Sequence, residues 1–132
     1  MSTPPYGFED TSYQYADKED GLNRLCRRFY EIMDSEQKAQ SIRAMHGDEL
    51  EPLADRLCAF LCGWLGGPPR YAERYGSISI PRFHQKFPIG PAERDAWLHC
   101  MKIAVDEQPW RDDFKVYLMA QFAIPAERCR SH

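Results

Sequence analysis

The chain lacks any run of about 18 apolar residues and any charged-then-apolar leader at MSTPPYGFED, so neither a membrane span nor a secretory signal is expected. It also lacks a basic patch. Its 17 Lys and Arg stand singly or in pairs against 20 Asp and Glu, for a net charge of -3, which excludes the electrostatic footprint of a nucleic-acid or anionic-lipid binder. A paired cysteine pattern is missing: Cys26, Cys58, Cys62, Cys100 and Cys129 are odd in number and show no short repeated spacing, which argues against a disulfide framework and for reduced thiols in the cytoplasm. Cys58 and Cys62, one helical turn apart, read as small buried hydrophobes rather than a metal or redox pair. Internal repeats and strand-helix-strand units are missing, so the expected class is all-α, in a single domain of 132 residues.

What is present is helical periodicity. The first sixteen residues are rich in Tyr, Ser, Thr and Pro and carry no period, which predicts an extended N-terminal arm (1–16) ahead of one folded domain (17–132). Leu22, Leu25, Cys26, Phe29, Ile32 and Met33 recur at helical spacing, predicting an amphipathic helix from about Asp20 to Asp34 with Tyr30 on the border of its apolar face. A shorter helical piece is expected over Glu36 to Met45. Leu53, Leu57, Phe60, Leu61, Trp64 and Leu65 fall at offsets 0, 4, 7, 8, 11 and 12, a wide stripe that opens on Pro52 and ends at Gly66-Gly67-Pro68-Pro69. Residues 70 to 90 read as loop with about one helical turn. Gly90-Pro91 with Glu93 marks a helix start continued by Trp97, Met101, Ala104 and Val105, and a last helix runs from about Asp112 until Pro125 stops it.

His84 is one of only four histidines and lies in a short aromatic, basic segment, PRFHQKFPIG. Taken alone it reads more readily as a surface or satisfied histidine than as a ligand. A haem, however, needs one imidazole on such a segment, apolar walls and a few cations near its propionates. Phe83, Phe87, Ile89 and Trp97 are candidate walls, and Arg82 and Lys86 candidate cations. His99, two positions beyond Trp97, points elsewhere and reads as a surface residue.

The segments FYEIM (29–33), FLCGWLGGPPRYAERYG (60–76), HQKFPIG (84–90) and ERDAWLHCM (93–101) resemble, in order along the chain, the truncated haemoglobins of the second group, two-over-two helical globins of bacteria and plants. The resemblance implies a globin-like two-over-two helical sandwich around haem b, iron protoporphyrin IX. It implies His84 as the proximal ligand of the iron and Tyr30 and Trp97 as distal residues that face a bound ligand. His46 falls near the variable corner position, and a shift of one residue would put Met45 there instead. Leu53 stands where many globins place a distal histidine, and being apolar it donates nothing. Phe29, Leu53, Leu57, Phe60, Tyr71, Phe83, Phe87 and Ile89 are then the expected walls.

Two departures accompany the likeness. The family's usual GHPRLRxRH is here GSISIPRFH, so Phe83 replaces the arginine before the histidine and propionate contacts are expected to shift to Arg82, Lys86 or Arg56. The arm is longer than usual, and DKEDG (17–21) replaces a Gly-Gly between the first two helices, so the first helix is expected to be altered or absent. The implied activity is binding of dioxygen and other diatomic ligands, with slow release, and chemistry on reactive oxygen or nitrogen species such as nitric oxide dioxygenation or peroxidase-like turnover. That would require a reductase or other electron donor and suits a monomer or weak dimer. The rival readings are oxygen storage, transport or sensing without turnover, and a haem-free helical scaffold.

Overall fold

The computed structural model describes residues 4–40, 43, 50–76 and 90–128. Among them every element is helical and no strand occurs: α1 (Thr11–Tyr15), α2 (Lys18–Ser35), a 3-10 turn (Gln37–Ala39), α3 (Glu51–Trp64), α4 (Arg70–Tyr75), α5 (Pro91–Asp106) and α6 (Asp112–Arg128). None of these helices is long and apolar enough to cross a membrane.

The apolar stripe read in α2 is its buried face. Leu22, Leu25, Cys26, Phe29 and Met33 are fully buried, while Arg28 and Glu31 stay at the surface. Glu19 and Asp20 in the first turn favour the positive end of the helix dipole. α2 packs chiefly on α3 and α5, and α5 packs on α6, which sets one helix pair across the other. Phe114, Leu118 and Phe122 of α6 and Met101, Ala104 and Val105 of α5 complete the core.

α3 begins with Pro52 in its first turn, where the missing N–H has no helical acceptor to lose. It ends in a Schellman motif: Gly66 N–H donates to the Gly63 carbonyl at 3.0 Å and Gly67 N–H to the Cys62 carbonyl at 2.8 Å. Gly66 has φ +92°, and a Cβ there would lie 1.9 Å from the Glu9 carbonyl oxygen. Gly66→Ala is therefore expected to lower stability by roughly 1–3 kcal/mol, measured as a drop in the urea midpoint; an unchanged midpoint would refute this packing.

The N-terminal segment is not the extended arm expected from its composition. Thr11–Tyr15 form a helix, Tyr13 and Ala16 are buried, and Tyr13 N–H donates to the Leu65 carbonyl at 3.2 Å. Its aromatic side chains supply the apolar area that a period-free segment hid. Tyr6 packs against Phe114 and Tyr117 with ring centroids 5.2 Å away in both cases, and its hydroxyl donates to Asp113 Oδ1 at 2.9 Å. A first helix of five residues is thus present rather than absent.

In the DKEDG segment, Asp17 (φ +63°) and Lys18 (φ +59°) occupy the left-handed region. Asp17 is retained there by contacts: its Oδ2 accepts from Arg24 Nη2 at 3.1 Å and from Trp110 Nε1 at 3.3 Å. No such contact of Lys18 offsets its strain. Lys18→Gly is expected to stabilise the fold by about 0.5–1 kcal/mol, read as a higher thermal midpoint; a lower midpoint would show that the turn is not strained.

Two further expectations meet the structure differently. The piece expected over Glu36 to Met45 contains the 3-10 turn and helical residues Gln40 and Arg43, and its other residues lie outside those described. Pro125 does not stop the last helix, which runs to Arg128. Proline's fixed φ is itself helical, and near a helix end its missing N–H removes a single hydrogen bond.

Candidate functional site

Tyr30 sits on α2 at 7% relative exposure, beside the fully buried Phe29. The Phe29 ring lies 4.9 Å from that of Tyr30 and 5.0 Å from that of Trp97 on α5, both edge to face. Trp97 continues to Phe122 of α6 at 5.6 Å, Phe122 to Trp64 of α3 at 5.2 Å, and Trp64 to Phe60 at 6.2 Å. One chain of rings therefore joins all four long helices. Burial, helped by the nearby Cys26 thiol, pushes the Tyr30 phenol well above its ordinary range. The group stays protonated at any working pH and keeps its O–H as a donor.

Phe29→Ala is expected to destabilise by about 3–5 kcal/mol, a large share of the 5–15 kcal/mol typical of a domain. Urea unfolding checks it, and a loss under about 1 kcal/mol would contradict the placement of this ring.

α3 carries two apolar faces. Ala54, Cys58, Leu61, Cys62 and Leu65 are buried, and α3 packs mainly on α2. Leu53, Leu57, Phe60 and Trp64, spaced 4, 3 and 4 residues apart, are only half-buried. Helical geometry sets those four on one stripe, beside the first. A half-covered apolar stripe flanked by polar-tipped aromatics is the donor set and wall that a flat, largely apolar macrocycle with one polar edge requires. The described residues fit a haem.

The polar edge has a candidate as well. Arg56 is exposed, with its guanidinium 4.5 Å from the centroid of the Tyr75 ring. It borders a cleft of about 610 Å³ lined by Leu50, Glu51, Pro52, Asp55, Arg56 and Tyr75. Tyr71 is half-buried on α4, its ring 5.0 Å from that of Tyr75.

The structure thus packs Tyr30 and Trp97 on Phe29 and links them to Phe60 through Phe122 and Trp64, while Leu53 and Leu57 share the half-buried stripe of α3 and Arg56 and Tyr71 both meet Tyr75. His46, Met45, Arg82, Phe83, His84, Lys86, Phe87 and Ile89 lie outside the described residues. His99 is exposed as expected, its Nε2 lying 3.6 Å from Glu36 Oε2. Arg27, which the sequence did not single out, reaches from α2 to two residues of the first turns of α3, Glu51 Oε1 at 2.8 Å and Asp55 Oδ1 at 3.1 Å. An arginine beside Arg28 on a polar helix face gives no pattern that could have revealed this contact.

Comparison with known proteins agrees with this architecture. The profile of the bacterial-like globin family matches residues 12–126. A group 2 truncated haemoglobin of Bacillus subtilis (strain 168) is 32% identical over 108 residues, which cover 82% of this chain and 80% of that protein. The group II 2-on-2 haemoglobin of Agrobacterium tumefaciens superposes with a TM-score of 0.86 at 33% identity, covering 99% of this chain and 98% of that one. A truncated oxygen-avid haemoglobin from Bacillus subtilis superposes with a TM-score of 0.82 at 30% identity, over 91% of this chain and 98% of that one.

A two-over-two globin is the class that these helices and this likeness define. The chain belongs to the bacterial-like globin family, among its group II truncated haemoglobins, and with that family comes haem-based binding of oxygen.

Proposed function

We propose that the chain holds haem b through His84 as the proximal ligand, and that it binds dioxygen with slow release and acts on reactive oxygen or nitrogen species. The observation that carries this reading is the buried Tyr30 phenol, whose ring and that of Trp97 both pack edge to face against Phe29. Haem, when bound, supplies an iron that takes up dioxygen and other diatomic molecules and exchanges electrons.

The chain's own residues do the rest. Tyr30 and Trp97 present an O–H and an N–H that donate to a polarised ligand, and His46, or Met45 if the register shifts by one, stands at the third distal position. Phe29, Leu53, Leu57, Phe60 and Tyr71, with Phe83, Phe87 and Ile89, exclude water from the ring. Arg56, Arg82 and Lys86 receive the propionates. Each charge-assisted hydrogen bond to the ligand contributes about 1.5–3 kcal/mol, so two donors hold it long enough to favour turnover over delivery. The description of a structural relative as oxygen-avid agrees with this reading.

Turnover requires an electron donor such as a reductase, and the cytoplasm as a monomer or weak dimer suits such a partner. The testing experiment mixes the oxygen-loaded ferrous protein with nitric oxide and follows nitrate formation by stopped flow. Rapid stoichiometric nitrate is expected; fast oxygen release with negligible nitrate would instead favour storage, transport or sensing.

A further inference from the structure

Behind the distal wall three thiols converge where α2 packs on α3. Cys26 is fully buried one turn before Tyr30, and Cys58 and Cys62, at 3% and 0% exposure, occupy consecutive turns of the packed face of α3. All three are free. The Cys58 S–H donates to the Glu19 carbonyl oxygen at 3.8 Å. Across the seam the Cys26 thiol donates a hydrogen bond to the Cys58 sulfur. Cys62 lies along the same helix, with its Cβ parallel to that of Cys58 rather than facing it.

We propose that Cys26 and Cys58 form a peroxide-driven dithiol–disulfide pair that links α2 to α3 directly beneath the ligand pocket. The pairing stands whether or not the haem turns over substrate.

The interaction with the Cys26 thiol holds Cys58 below its usual range, against its burial, whereas burial raises Cys26 and pushes Cys62 up to about 12. Cys58 is therefore the nucleophile of the set, since the thiolate is the reactive form. Its sulfur attacks one oxygen of hydrogen peroxide: the S–O bond forms, the O–O bond breaks, and hydroxide leaves with the thiol proton as water. The Cys26 sulfur then attacks the Cys58 sulfenic acid: the S–S bond forms, the S–O bond breaks, and the second water leaves with the Cys26 proton. Two thiols and one peroxide give one disulfide and two waters. Peroxide is small enough to reach a thiol at 3% exposure during local opening, where a bulkier oxidant is excluded.

The geometry gives the bond a consequence. It would fix the spacing of α2 and α3 one turn from Tyr30, so the oxidant that the pocket is proposed to meet would also set the stiffness of the pocket.

To test it, the haem-loaded full chain is treated with hydrogen peroxide and quenched with catalase. It is then unfolded, alkylated and digested with trypsin without reductant. Trypsin releases Cys26 on a peptide separate from the one that Cys58 and Cys62 share, so fragment spectra assign the partner. The expected result is loss of two of the five alkylatable thiols, a Cys26–Cys58 cross-link, and recovery of both thiols with dithiothreitol. Cys58→Ser is expected to abolish the link and Cys62→Ser to leave it, and should either variant fail to fold, the wild-type map decides alone. Five free thiols after peroxide, irreversible oxidation without a cross-link, or a bond joining any other pair would overturn the proposal.

Discussion

Replacing Tyr30 by phenylalanine is expected to speed oxygen release by roughly ten- to a hundredfold, with Trp97→Phe giving an effect of the same order. The substitution removes one hydroxyl and keeps the ring, so the contact with Phe29 at 4.9 Å survives. Burial keeps that donor protonated, so the difference between wild type and variant is expected to be flat across neutral and mildly alkaline pH. Stopped-flow displacement of oxygen by carbon monoxide measures it. Unchanged off-rates in both variants would refute the distal assignment, and a change in Trp97→Phe alone would move the donor role to α5.

The second large effect concerns cofactor retention. His84→Gly is expected to lose the Soret band that hemin gives with the wild-type apoprotein, and free imidazole is expected to restore it by occupying the vacated position. A globin pocket otherwise offers apolar contacts and propionate partners, which hold a porphyrin but present no nitrogen to its iron. Because a ligand that binds only the folded state raises stability by RT ln(1 + [L]/Kd), hemin should also raise the wild-type thermal midpoint and leave that of the variant nearly unmoved. A glycine variant that takes up hemin with wild-type affinity and the wild-type five-coordinate ferrous spectrum, without added imidazole, would remove the foundation of the proposed site.

Much of this architecture was legible in the residues because its helices are amphipathic and well punctuated. The stripe from Leu22 to Met33 and the Gly-Gly-Pro-Pro stop after Leu65 placed α2 and α3 to within a few residues. The N-terminal helix lacks a local period for a physical reason: Tyr13 is buried and Tyr6 packs against the last helix, and contacts across 107 positions, such as Tyr6 with Asp113, leave no pattern along the chain. Pro125 misled because it was weighed as a breaker without regard to its place near a helix end. At the site, Tyr30 alone looked like a boundary core aromatic and Trp97 like a core anchor. The likeness to a family singled them out, and the structure adds that Phe29 joins them. Cys58 and Cys62 read as small hydrophobes and Cys26 as part of the α2 stripe, which their burial supports, but their meeting across two helices has no signature in spacing along one chain.

The two apolar faces of α3 bear on how the cofactor is acquired. Since one face is bonded into the body of the protein through Ala54, Cys58, Leu61, Cys62 and Leu65, the helix does not depend on porphyrin for its existence. The receptor half formed by Leu53, Leu57 and Phe60 is thus preorganised. The same oily strip, left bare in water, makes prompt loading a matter of solubility as much as of function.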